Sequence, residues 1–221
     1  MLLEIETHNP LQIKRVAFTY SEMKYSDLGV VVLAAGEGSR MGAIKQLLPW
    51  KNGNLLTHCL EVVGKLTNAV VVVLGAYASE IQTSLHQLEH YDVVENDDWA
   101  TGMGSSIAAG VQELTKKRSI EKILIVLVDQ PLISYTYLEQ LVSKHEDKKS
   151  IVVSNYKGTP GVPAVFGKAY FKDLRDLNGK KGAKNLLLQY KKQLEYLPEN
   201  KFTIDLDTPE MYQHYYNLFG R

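Results

Sequence analysis

The sequence is short of cysteine, of net charge and of long apolar runs, and each shortage excludes a class of protein. A single cysteine, Cys59, leaves no intrachain disulfide and no multi-cysteine zinc site, so the expected compartment is the reducing cytoplasm. Lysine plus arginine (25) balance aspartate plus glutamate (25), giving zero formal charge. A chain that grips nucleic acid through its phosphates carries a basic excess, so no nucleic-acid partner is expected. The longest apolar runs, Val30–Ala35 and Ala69–Leu74, are less than half of the roughly 20 residues a membrane helix needs. The N-terminus, Met1-Leu-Leu-Glu-Ile-Glu, places acids where a signal peptide carries bases. What is present is ordinary for a folded protein: 221 residues, 45% apolar and 23% charged, enough for about one domain with additions and too aliphatic for disorder.

Four short apolar runs dominate the pattern: Gly29–Ala34, Ala69–Leu74, Ile123–Val128 and Ile151–Ser154. Runs of this length, rich in β-branched residues, suggest strands buried on both faces, as in a parallel sheet. Helical spacing fills the gaps over Asn54–Leu66, Ser79–His90, Ser105–Lys117 and Ser134–His145, with Asn54 and Ser134 as N-caps. Lys116, Lys117 and Arg118 suit a helix C-terminus. This alternation implies an α/β fold with a mostly parallel central sheet. Beyond residue 155 the rhythm changes: a strand at Val162–Phe166, helices at Lys168–Leu177 and Lys180–Tyr190, and short strands at Leu194–Leu197 and Phe202–Leu206. Thr208-Pro209-Glu210 opens a last helix in the favoured order of cap, proline and acid. Residues 1–28 read as an N-terminal extension and residues 29–221 as one domain. Ile13, Val16, Phe18 and Tyr20 fit an edge strand in the extension, and Met23 is an alternative start.

The first strand runs into Ala34-Ala35-Gly36-Glu37-Gly38-Ser39-Arg40-Met41-Gly42, with Lys45 close behind. A glycine-rich turn after a parallel strand lets backbone N–H groups approach an anion closely. The dinucleotide spacing G-x-G-x-x-G fails because Met41 occupies the last glycine position, and no register fits the P-loop. Glycines alone are equally explained by a tight turn without ligand; Arg40 and Lys45 in the same loop favour a phosphate.

The segment Leu33–Trp50, LAAGEGSRMGAIKQLLPW, resembles the signature L-A-A-G-x-[SG]-x-R-[ML]-G-x-x-K-x-L-[LM]-P of the molybdenum cofactor nucleotidyltransferase family. With Ala-Ala-Gly it is most similar to the cytidylyltransferase branch. The resemblance implies a Rossmann-like three-layer nucleotidyltransferase fold, and a loop that holds the nucleotide through Leu33, Ala34, Ala35, Gly36, Gly38, Arg40 and Lys45. Further matches run to about residue 216. Asn96-x-x-Trp99-x-x-Gly102-Met103-x-x-Ser106 is similar to the family's base-contacting segment, which places Gly102 and Ser106 at the nucleotide; helix capping is the competing explanation of Ser105 and Ser106.

Asp129-Gln130-Pro131 follows the most apolar strand, where α/β sheets bind ligands. It resembles the family's G-D-[QM]-P, whose aspartate holds the metal; the usual glycine is Val128 here. Gly161-Val162-Pro163 and Gly182-Ala183-Lys184 resemble acceptor-side motifs, implying Gly161, Pro163, Gly182 and Lys184 as acceptor contacts. Val162 replaces the histidine common in the cytidylyltransferases, and a solvated basic turn is the alternative for Lys180, Lys181 and Lys184. Asp205-Leu206-Asp207-Thr208-Pro209 resembles D-[IV]-D-T-P and supplies a second metal carboxylate, Asp207 being preferred to Asp205.

The resemblance thus implies transfer of CMP from CTP to the terminal phosphate of molybdopterin, with Mg²⁺ on Asp129 and Asp207 and with Arg40, Lys45 and Asp129 as catalytic groups. A molybdoenzyme or its chaperone is the implied downstream partner. Use of GTP or another acceptor, and non-catalytic nucleotide binding, are the competing readings. His86 and His90, four apart, lack a third metal ligand; Cys59 reads as core, and Tyr212, Tyr215, Tyr216 and Phe219 read as packing or a dimer contact.

Overall fold

The computed structural model describes residues 25–85, 91–179 and 182–221. Seven strands form the main sheet: β1 (Leu28–Leu33), β4 (Val70–Leu74), β5 (Asp92–Glu95), β6 (Lys122–Leu127), β7 (Ile151–Tyr156), β8 (Thr159–Gly167) and β9 (Leu194–Tyr196), while β2 (Pro49–Trp50) and β3 (Gly53–Asn54) make a small hairpin. The helices are α1 (Leu55–Val63), α2 (Ala78–Leu85), α3 (Met103–Lys117), α4 (Tyr135–Lys144), α5 (Phe171–Arg175), α6 (Ala183–Gln189) and α7 (Pro209–Phe219).

The sheet order is β5-β4-β1-β6-β8-β7-β9, parallel except for β8, which runs against both neighbours. Because β1 is central, its side chains are buried on both faces. Val30 and Val32 enter the core shared with α1, α2 and α4; Val31 and Leu33 enter the core shared with α3, α5 and α6. This two-sided burial explains why the strand reads as an unbroken apolar run and yields three layers. The chain leaves β1 toward β4 on one side and returns as β6 on the other. Such a reversal opens a crevice beyond the strand ends, between the loops after β1 and β6.

Local chemistry sets several helix ends. Asn54 Oδ1 accepts from Thr57 N while Thr57 Oγ1 accepts from Asn54 N, a capping box at the expected residue. Ser134 and Thr208 likewise cap α4 and α7. Other expectations are corrected. The helix expected from Ser105 starts at Met103, because Gly102, at φ 132°, turns the chain with no side-chain cap. The helix expected over Lys168–Leu177 divides into a 3-10 turn, Lys168–Tyr170, and the shorter α5. Phe202–Leu206 forms no strand: Ile204 N closes a turn onto Phe202 O, and Leu206 N donates to Asp129 O at 2.9 Å. The proposed edge strand and alternative start in residues 1–24, the His86–His90 pair, Lys180 and Lys181 lie outside the described residues. Among the described residues no helix is long and apolar enough to cross a membrane.

Candidate active site

The crevice brings together side chains from three distant stretches of chain. Lys45 follows the glycine loop in a short 3-10 turn, Lys45–Leu47, and is 7% exposed. Its Nζ donates to Asp129 Oδ2 at 2.9 Å and to Asp207 Oδ1 at 3.0 Å. Arg40 Nη2 donates to the other oxygen, Asp207 Oδ2, at 2.9 Å, while 70% of the Arg40 side chain stays exposed. Asp129 arrives at the end of β6, and Leu206 N bonding Asp129 O lays the Asp205–Asp207 segment beside it. Of the two acids left open by sequence, Asp207 faces Lys45 and Arg40. Asp205 turns away to accept from Gln130 Nε2 at 2.7 Å.

These pairings set the charges. Burial pulls the Lys45 ammonium down, but Asp129 and Asp207 outweigh it and hold it above its ordinary value. Burial pushes the Asp207 carboxyl up, and Lys45 and Arg40 outweigh that too, leaving it below the usual carboxylate range. Burial raises the Asp205 carboxyl; the Gln130 amide and the Lys45 charge offset only part of that, and the neighbouring Asp129 and Asp207 charges add to it.

The glycine loop is braced from beneath. Gln46, 2% exposed, donates its Nε2 to Ala34 O at 2.6 Å and to Gly36 O at 3.0 Å. Ala34 N bonds Val73 O and Ala35 O accepts from Ala76 N, so the loop's root is tied to β4 and the turn after it. Leu33, Ala34 and Ala35 are buried, and a Cβ on Gly36 would meet nothing within 4 Å. Neither Gln46 nor Gln130 is given a role by sequence: Gln46 falls at an unspecified position of the loop signature, and Gln130 matches its motif position but bonds Asp205, far along the chain.

A second cluster surrounds the start of α3. Asn96, buried at the end of β5, donates Nδ2 to Ser105 Oγ at 2.9 Å and to Ser106 Oγ at 3.0 Å. Trp99 packs near Gly75, where a Cβ would come within 2.7 Å of Ala35 O and of Trp99 Cβ; this joins the cluster to the glycine loop. Gly104 N donates to Gly179 O at 3.2 Å, and Gly182 lies against Met103. Lys184 is exposed on α6. Gly161 sits on the Tyr156 ring, and Pro163 is buried with its carbonyl accepting from Ser154 Oγ at 2.7 Å.

The donor set fits a small hard cation in part. Asp129 Oδ1 is buried without a hydrogen-bond partner, and carboxylate oxygens are the ligands such cations prefer. Among the described residues no cluster of three or more His, Cys, Asp or Glu forms a protein-only metal site. A cation held by Asp129 and Asp207 would need further oxygens from substrate or solvent.

Residues 30–194 match the family model of the MobA-like NTP transferase domain. Over 118 residues the chain is 42% identical to the nicotine blue oxidoreductase of Paenarthrobacter nicotinovorans, covering 52% of this chain and 55% of that protein. It is 31% identical to the purine catabolism protein PucB of Bacillus subtilis (82% and 92% covered). Identity to the molybdenum cofactor cytidylyltransferase of Escherichia coli K12 is 22% (84% and 93% covered). Among solved structures, the homologue of the Mycobacterium tuberculosis protein Rv0371c from Mycobacterium sp. strain JC1 superposes with TM-score 0.74 at 28% identity, covering 87% of this chain and 96% of that one. A manganese complex of Rv0371c itself gives TM-score 0.66 at 26% identity (86% and 98% covered).

Proposed function

The chain belongs to the MobA-like NTP transferase family and is a nucleotidyltransferase, and from that premise we propose that it transfers CMP from CTP to the terminal phosphate of molybdopterin, releasing pyrophosphate. The observation that carries this reading is Lys45, set under the glycine loop and between Asp129 and Asp207: cations for a triphosphate and carboxylates for a divalent metal share one crevice. A phosphate monoester has its second pKa near ~6 and is already largely dianionic at neutral pH. No general base is needed, so positioning and charge neutralisation carry the catalysis.

In this reading the loop residues Leu33–Gly38 cradle the nucleotide, with Arg40 and Lys45 against its phosphates and Gly102 and Ser106 toward its base. Gly161, Pro163, Gly182 and Lys184 line the acceptor side. Asp129 and Asp207 hold Mg²⁺, which when bound neutralises triphosphate charge; the manganese complex of the Rv0371c protein supports a divalent cation. The Escherichia coli relative's name supports CTP and molybdopterin. Residues 29–221 are read as the transferase domain and residues 1–28 as an extension, whose last residue, Leu28, already opens β1. The product passes in the cytoplasm to a molybdoenzyme or its chaperone. One relative's name concerns a redox reaction, but Met41 breaks the dinucleotide-binding glycine spacing here.

The test is pyrophosphate release with each of the four nucleoside triphosphates, Mg²⁺ and purified molybdopterin. Release with CTP alone is expected. Release with GTP alone replaces the nucleotide in the reading, and release only with a different phosphorylated acceptor replaces molybdopterin. Tight nucleotide binding without release under any of these conditions overturns it in favour of a binding protein.

A further inference from the structure

Lys45 uses the same carboxylate oxygens that a metal would use. Its Nζ lies 2.9 Å from Asp129 Oδ2 and 3.0 Å from Asp207 Oδ1, and Arg40 takes the remaining oxygen of Asp207 at 2.9 Å. An ammonium and a divalent cation compete for these atoms in a partly buried site, because like charges at such range repel. The ammonium is held there by ion pairs at the end of a long side chain. Its stem runs beneath the glycine loop, where a Cβ on Gly38 would lie 3.6 Å from both Lys45 Cβ and Lys45 Cε. A flexible four-carbon stem rooted there reaches the carboxylates below or an anion in the loop above.

We propose that Lys45 is an internal counter-ion: in the free protein it excludes divalent metal from Asp129 and Asp207, and a polyphosphate bound in the glycine loop draws the ammonium away and opens the two acids to the metal. Asp129 Oδ1, buried without a hydrogen-bond partner, would be free to serve the metal once Lys45 has left. Metal and nucleotide thus enter together, and the free protein does not accumulate metal first. The inference rests on reading Asp129 and Asp207 as the metal carboxylates, but its test needs neither turnover nor an acceptor.

Free Mn²⁺, followed by its electron paramagnetic resonance signal without any nucleotide, is the probe. Wild-type protein is expected to bind Mn²⁺ weakly and Lys45→Met at least about tenfold more tightly, since the competing like charge is gone. Lys45→Arg, which keeps the charge, stays weak, and adding Asp129→Asn to Lys45→Met removes the gain. Lys45→Met binding no more tightly than wild type overturns the proposal. A second measurement uses wild-type protein alone: Mn²⁺-dependent water-proton relaxation, with and without inorganic tripolyphosphate. Enhancement only with tripolyphosphate is expected. Tight binding of Mn²⁺ alone, or no enhancement in either case, overturns the proposal whatever the variants do. A failure of CTP turnover would leave these binding results unchanged and would count against the functional reading instead.

Discussion

His58, on α1, donates its Nε2–H to the carbonyl of Pro131 across 3.1 Å, two residues past Asp129. Because a carbonyl only accepts, this bond requires the Nε2-protonated tautomer. Burial, helped by the nearby Lys51 charge, lowers the His58 pKa to about 4, so the ring is neutral at pH 7. A helix on one face of the sheet thereby pins the loop that presents Asp129.

That bond predicts a pH dependence of stability. The folded pKa lies below the unfolded value of about 6.5, so between the two the unfolded chain binds more protons and stability falls as pH falls. The contribution is whole above about pH 6.5 and declines by on the order of 3 kcal/mol as pH nears 4. Urea unfolding of wild type and His58→Gln across this range measures it as the difference between the curves. Parallel curves would remove His58 from the account.

Asp129→Ala is expected to lower turnover by about a hundred- to a thousandfold, the scale of losing a main electrostatic group. Asp207 keeps Lys45 paired in this variant, so the melting temperature should change little. Steady-state kinetics with Mg²⁺, beside a thermal melt, decide; a wild-type rate would end the metal assignment.

Gln46→Leu leaves the Ala34 and Gly36 carbonyls without their donor. Loss of hydrogen bonds to buried backbone should cost about 1–3 kcal/mol, and a loosened loop should raise the KM for nucleotide more than it lowers kcat. Denaturant unfolding and kinetics at varied nucleotide test both parts. An unchanged KM would mean that the loop keeps its shape without the brace.

Gly110→Ala tests how closely α3 approaches the sheet. At an open helix position this substitution stabilises by roughly 0.5–1 kcal/mol. Here the new Cβ would lie 2.5 Å from Val31 Cγ1 and 2.8 Å from Val73 Cγ2, so overpacking of about 1–3 kcal/mol should reverse the sign. A raised melting temperature would contradict the packing of α3 on β1 and β4.

The strands were legible because residues such as Val30–Val32 are buried on both sides, and that demand writes itself into composition. Helix starts at Asn54, Ser134 and Thr208 were legible because a cap bonds only three residues away. The start of α3 was not, since Gly102 makes the turn by backbone angle instead of by a side-chain cap. The reversed direction of β8 leaves no mark in its residues. Leu206 is buried by packing with no ladder to join, and its apolar neighbourhood imitates a strand. At the candidate site, the approach of Lys45 to Asp129 follows from loops that leave adjacent strand ends. The choice between Asp205 and Asp207, and the roles of Gln130 and His58 as braces, depend on partners far along the chain, which spacing does not encode; Gln46 braces its own loop, but by a fold of the chain that spacing does not show.

Leu206 N on Asp129 O, and Lys51 N on Gly220 O at 2.6 Å, stitch residues 206–220 to residues made much earlier. During synthesis, a nascent chain that has reached α6 already carries the glycine loop, Lys45 and Asp129. It still lacks Asp207 and the α7 tyrosine, Tyr216, that packs on Trp50. The crevice is therefore completed only once residues 206–216 have been made, so a product terminated at α6 holds Asp129 without Asp207.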